Sequence, residues 1–75
     1  MHTEYLIKMA NQIGTFFESQ PNREQAMTDL AKHLQNNWEH RMRSNLLEYV
    51  DQQAGEGLLP IVVEAVAKHR QEWPV

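Results

Sequence analysis

The 75-residue chain contains no cysteine. That absence excludes a disulfide framework, a cysteine zinc site and cysteine-held iron–sulfur clusters, and it fits a reducing compartment. Basic residues are also scarce. Seven Lys and Arg stand against ten Asp and Glu, a net charge of −3 with no strong block of either sign. A nucleic-acid-binding face needs concentrated positive charge to neutralise phosphates, so nucleic acid is not expected as a partner. No apolar run approaches the length of a membrane span. The N-terminus lacks the basic region and apolar core of a signal peptide, and a cytoplasmic location is expected. Strand-like alternation is almost absent.

What is present is helical periodicity. Ordinary globular proportions of hydrophobic (41 %) and charged (23 %) residues argue for a folded chain, and its length allows one domain over residues 1–75. A first helix is predicted from Thr3, as N-cap, to about Ser19, ended by Pro21. A second begins at Asn22, where Gln25 completes a loose capping box, and carries the stripe Ala26, Met27, Leu30, Ala31, Leu34. A third runs from Trp38 or Glu39 to Gln53, with Met42, Leu46, Tyr49 and Val50 on one face, and Gly55 and Gly57 supply its stop. A fourth starts at Pro60, suited to the first helical position, with Ile61, Val62, Ala65, Val66 and His69 in its stripe. The run Ile61-Val62-Val63 also reads as a short strand; Pro60 and the following Ala65-Val66-Ala67 favour helix. Four amphipathic segments with short connections predict an all-α, small compact bundle of four helices. The pairs Glu4/Lys8, Glu39/Arg43 and Glu64/Lys68 have the favourable i, i+4 order and mark solvated faces. Lys68, His69 and Arg70 suit the negative end of the fourth helix. A chain this small buries only about 60 % of its unfolded surface, so oligomerisation or docking is expected.

The first helix holds the most telling residues. Leu6, Met9, Ala10, Ile13, Phe16 and Phe17 recur on one helical face, yet Gly14 interrupts the run at a cost of about 1 kcal/mol against Ala. A glycine beside two phenylalanines implies the close approach of another backbone, from this chain or from a partner. The expected orientation places Met9, Ile13 and Phe16 inside, with Gly14 and Phe17 towards the rim. Asn11 and Gln12, amides beside the apolar stripe, suit either a partner's backbone or the surface.

Little else carries chemistry. Ser19 and Ser44 have no elbow, base or orienting group around them. The histidines are scattered, and only Asp29 and His33 share a helical face where a metal would need further ligands. Gly55 and Gly57 lack the strand and lysine of a phosphate loop. No catalytic, cofactor-binding or metal-binding residue is assigned, and no cofactor is expected on the chain. The second notable block is Trp38-Glu39-His40-Arg41-Met42-Arg43. Trp and Arg are frequent interface anchors; the alternative is a tryptophan covering the bundle end, with solvated Arg41 and Arg43 flanking a buried Met42.

Met9-Ala-Asn-Gln-Ile-Gly-Thr-Phe-Phe17, Pro21, Arg23, His33-Leu34, Trp38-x-x-Arg41-Met42-Arg43 and Gly57-Leu58-x-Pro60-Ile61-Val62 with Ala65 form an ordered set. This set resembles the delta subunit of NAD-dependent formate dehydrogenase, from about residue 4 to about residue 70. His40 stands where that pattern usually has proline, which leaves the start of the third helix less sharply set. The resemblance implies a non-catalytic accessory subunit of a cytoplasmic enzyme complex. In such complexes the alpha subunit holds a molybdenum or tungsten bis-pterin cofactor and iron–sulfur clusters, and the beta and gamma subunits carry flavin and reduce NAD. The delta subunit is thought to support assembly, cofactor insertion or stability of the formate dehydrogenase alpha subunit. The partner-binding surface, or its immediate support, is then expected at Ile13, Gly14, Phe16, Phe17, Trp38, Arg41 and Arg43. A different class of reading is a self-associating helical module, a homodimer through the Phe16/Phe17 face.

Overall fold

Four stretches of helical periodicity become four α-helices: α1 (Thr3–Glu18), α2 (Arg23–Asn37), α3 (His40–Gln53) and α4 (Pro60–His69). A single 3-10 turn, Arg70–Glu72, follows α4. This computed structural model describes residues 2–73, and among them the architecture is an all-α bundle. Ile61 and Val62 lie within α4, so the strand alternative for that run does not hold.

Local chemistry sets the ends of the helices. The Asn22 side chain accepts a hydrogen bond from the Gln25 amide at 3.0 Å, giving α2 the N-cap its sequence calls for. Pro60 occupies the first turn of α4, where its missing N–H costs nothing. α1 differs slightly from expectation, since His2 is the cap position and Thr3 already helical. α3 starts after Glu39 with no side-chain cap, consistent with His40 in place of a sharper helix start. At its end, Ala54 takes the left-handed conformation (φ 54°) ahead of Gly55 (φ 68°) and Gly57 (φ 89°). Three positive-φ positions within four residues turn the chain towards α4.

The core is built from the predicted stripes of α2 and α4. Ala26, Met27, Leu30, Ala31 and Leu34 are buried against Ile61, Val62, Ala65 and Val66. α3 contributes less: Leu46 is buried, while Met42, Tyr49 and Val50 only pack against the core edge. Arg23 pairs with Glu64, Glu24 with Lys68, Thr28 contacts His69, and Trp73 Nε1 donates to Ala31 O at 3.2 Å. These contacts advance together along both segments, so α2 and α4 run in the same direction, with α3 as the crossover between them.

Surface charges pair between helices, not along them. Among the described residues the i, i+4 pairs expected from sequence do not form: Glu64 and Lys68 each join α2 instead. Arg70 grips Asp51 of α3 with two hydrogen bonds, 2.6 and 2.9 Å. That fork, and the charge behind it, holds the Asp51 carboxyl below the usual carboxylate range and raises the Arg70 guanidinium. Lys68 lowers Glu24 in the same way, first by its hydrogen bond and then by its charge. Lys68, His69 and Arg70 therefore serve inter-element contacts as well as the helix dipole.

Candidate functional site

The orientation of α1 differs from the one expected. Its innermost line is Leu6, Ala10 and Gly14, three positions spaced by four. Small side chains on that line let α4 come close: a Cβ on Gly14 would stand 2.7 Å from Val62 Cγ2 and 3.4 Å from Leu59 Cδ1. The near neighbour implied by Gly14 is therefore α4 of the same chain, and Gly14 is buried, not at the rim. With the core on that side, Phe16 turns outward and is 67 % exposed. Met9, Ile13 and Phe17 sit half-buried at the boundary. A stripe of six apolar residues is wider than the contact available, and packing turned Leu6, Ala10 and the interrupting Gly14 inward for the helix crossing.

Asn11 completes this crossing. Its Nδ2 donates to Gly57 O at 2.8 Å, and its Oδ1 accepts from the Leu59 amide at 2.9 Å. The amide thus satisfies a backbone, as its composition allows, but that backbone is the α3–α4 loop of its own chain.

The outward side of this arrangement is an apolar groove of about 290 Å³ lined by Gln12, Ile13, Phe16, Phe17 and His33. The Phe16 ring meets Phe17 edge-on, with centroids 5.1 Å apart and planes at 87°. Phe17 meets the His33 imidazole at 5.9 Å and 62°. Edge-to-face contacts of this kind hold rings in fixed directions. The structure therefore brings Ile13, Phe16 and Phe17 together and places Gly14 behind them. It adds His33, which the sequence offered as half of a metal pair with Asp29 and as part of the resembling block His33-Leu34, not as a neighbour of Phe17. Asp29 instead accepts from Gln25 Nε2 at 2.9 Å, and among the described residues no group of His, Asp and Glu gathers to hold a metal ion. Nothing in the spacing links His33 to residue 17; its only signal is a ring among the polar positions of α2.

The Trp38–Arg43 block divides by burial. Trp38 is 6 % exposed and Arg43 7 %, whereas Arg41 is exposed and Met42 half-buried. The pattern of two solvated arginines around a buried Met42 is therefore reversed at Arg43. Its Nη1 reaches back to the carbonyls that end α2, donating to Gln35 O at 3.0 Å and to Trp38 O, with Leu34 O at a longer 3.5 Å. A guanidinium there satisfies orphan carbonyls and opposes the negative end of the helix. Its Nε is buried without a partner. Glu39 consequently does not pair with Arg43, and Arg41 is the arginine of this block open to solvent.

The fold thus presents an apolar groove on α1 and α2 and, at the far end of α2, a capped junction that displays Arg41. A family model described as NADH-dependant formate dehydrogenase delta subunit, FdsD, matches residues 5–66. The chain belongs to this delta-subunit family. The match takes in α1, α2, α3 and the first two turns of α4, with every residue of the groove and of the Trp38–Arg43 junction. It ends before Lys68, Arg70 and Trp73, whose contacts tie the end of α4 and the segment after it to α2 and α3. No curated protein and no solved structure matches the chain. No helix among the described residues is long and apolar enough to cross a membrane.

Proposed function

We propose that this chain is a non-catalytic accessory subunit of a cytoplasmic, NAD-dependent, molybdenum- or tungsten-containing formate dehydrogenase. It docks on the catalytic alpha subunit and supports its assembly, cofactor insertion or stability. The cofactors belong to the partner subunits. Family membership names the complex, and the observation that carries the docking role is the groove of Ile13, Phe16, Phe17 and His33. Phe16 is 67 % exposed and, with Tyr5 on the same helix, is one of the two large hydrophobic side chains left open among the described residues; aromatic anchors of this kind dominate binding energy at interfaces. Gly14 acts as support beneath the groove, and Trp38 and Arg43 support the separate junction at the end of α2 where Arg41 supplies an exposed charge.

Co-expression with the remaining subunits tests this reading. Phe16→Ala and Arg41→Glu both change exposed side chains and leave the fold intact by circular dichroism. The expected result is reduced recovery of the chain with the alpha subunit and less active, cofactor-loaded complex. Normal recovery and normal formate oxidation with both variants would remove this surface from the interface.

A further inference from the structure

α1 carries apolar residues on two sides, and the fold uses one of them. Leu6, Ala10 and Gly14 face inward. The large hydrophobic side chains most open to solvent, Tyr5 at 59 % and Phe16 at 67 %, belong to the same helix. Eleven residues separate them. At 3.6 residues per turn they fall within about 20° of one line and about 17 Å apart along the axis. Met9 and Gln12 lie near that line between them, giving intervals of four, three and four. Those are the intervals of a seam on which a second helix packs its own side chains. Ile13 forms the shoulder on the α2 side, so the seam is continuous with the groove of Phe17 and His33. Lys8 flanks the other side, exposed and outside every ion pair among the described residues.

The geometry points to one kind of occupant: an amphipathic helix of the catalytic subunit, about three turns long, lying along Tyr5, Met9, Gln12 and Phe16 with a carboxylate opposite Lys8. This rests on the docking role proposed above and adds the form and chemistry of what docks. A second copy of the chain fits the seam less well. At their observed exposure Tyr5 and Phe16 offer about 200–300 Å² together, against about 800 Å² per partner in a stable pair. A homodimer built on this seam is weak, whereas in a larger assembly the seam is one contact among several. An extended segment is a poor occupant for another reason, because a helix flank offers no free backbone groups to pair with its amides and carbonyls.

The test uses the assembled complex. A photoreactive benzophenone side chain is placed in turn at Tyr5, Met9, Gln12 and Phe16, and the adducts are mapped by mass spectrometry. The expected adducts lie in the catalytic subunit and advance by three or four residues for each step of the probe. Adducts in a second copy of this chain, steps of two residues, or no adducts from an incorporated subunit overturn the inference. Two substitutions at exposed Gln12 give an independent reading. Gln12→Asp should weaken association with the catalytic subunit at least tenfold, and Gln12→Leu should tighten it severalfold. If the chain assembles normally and both variants bind like the parent, the helix seam falls while the docking role stands. If the parent chain itself does not associate with the catalytic subunit, both fall.

Discussion

Gly14 and Val62 meet so closely that a single methyl group on Gly14 would stand 2.7 Å from Val62 Cγ2. Val62 is fully buried on α4, and as a β-branched residue it is stiff at χ1. Gly14→Ala is therefore expected to destabilise the fold by about 1–2 kcal/mol, overpacking outweighing the gain in helix propensity. Val62→Ala alone leaves a cavity, but the double variant should recover part of the loss. A double-mutant cycle from urea unfolding measures that coupling; simple additivity would show that the two sites do not touch.

The Asn11 side chain bonds to both the Gly57 carbonyl and the Leu59 amide. Asn11→Leu leaves both backbone groups without it, and a cost of about 1–3 kcal/mol is expected. Hydrogen exchange at the Leu59 amide should accelerate in the variant, by more than it does at the α2 amides. Equal acceleration everywhere would mean global destabilisation without a local role.

The two arginines of the α2–α3 junction should separate cleanly. Arg43→Ala removes a buried guanidinium from the carbonyls of Gln35 and Trp38, and a loss of about 2–3 kcal/mol is expected, from charged hydrogen bonds and from packing. Arg43→Lys should recover only part of it, because an ammonium is more strongly hydrated than a guanidinium and resists burial at this site. Arg41→Ala should leave the unfolding midpoint within about 0.5 kcal/mol of the parent.

Acid should weaken the fold through Glu24 and Asp51. Both carboxyls are held low, chiefly by hydrogen bonds from Lys68 and Arg70. They bind protons more weakly folded than unfolded, so their contribution is present above the ordinary carboxyl range and is lost as the pH falls through it and below. The melting temperature should be flat from about pH 7 to 5 on this account and fall below that range. Asp51→Asn and Glu24→Gln should each flatten the acid limb. Both pairs are exposed, so added salt should shrink the effect.

The helices were readable because each carries both a period and a punctuation mark: Asn22 before α2, Pro60 before α4, positive-φ residues after α3. The α2 stripe and Ile61, Val62, Ala65 and Val66 of the α4 stripe transferred to the core, while His69 stayed at its edge beside Thr28 and Glu72. α1 did not transfer in this way. Its apolar residues exceed one face, and which side became core was decided by how close α4 could come, a fact held in Gly14 and Val62 together. Arg43 was misjudged for a related reason. An arginine two residues from another reads as solvated, and only the end of α2, five residues earlier, gives it carbonyls to satisfy. That Ile13, Phe16 and Phe17 lie together was legible from their spacing; His33 beside them was not, because its place next to Phe17 depends on how α1 and α2 cross.

The parallel course of α2 and α4 has a consequence for how the chain folds. Adjacent helices in an up-and-down bundle meet through short loops, and such bundles are among the fastest folders. Here Arg23 must find Glu64 and Ala31 must find Trp73 across separations of 41 and 42 residues. The entropy of closing a loop of that length is spent before the central helix pair contributes any stability. A nearly all-helical protein is thereby given the non-local search of a mixed fold. While α2 waits for α4, the part of its stripe that α4 covers stays open on the nascent chain, with α1 the one earlier helix able to pack on it.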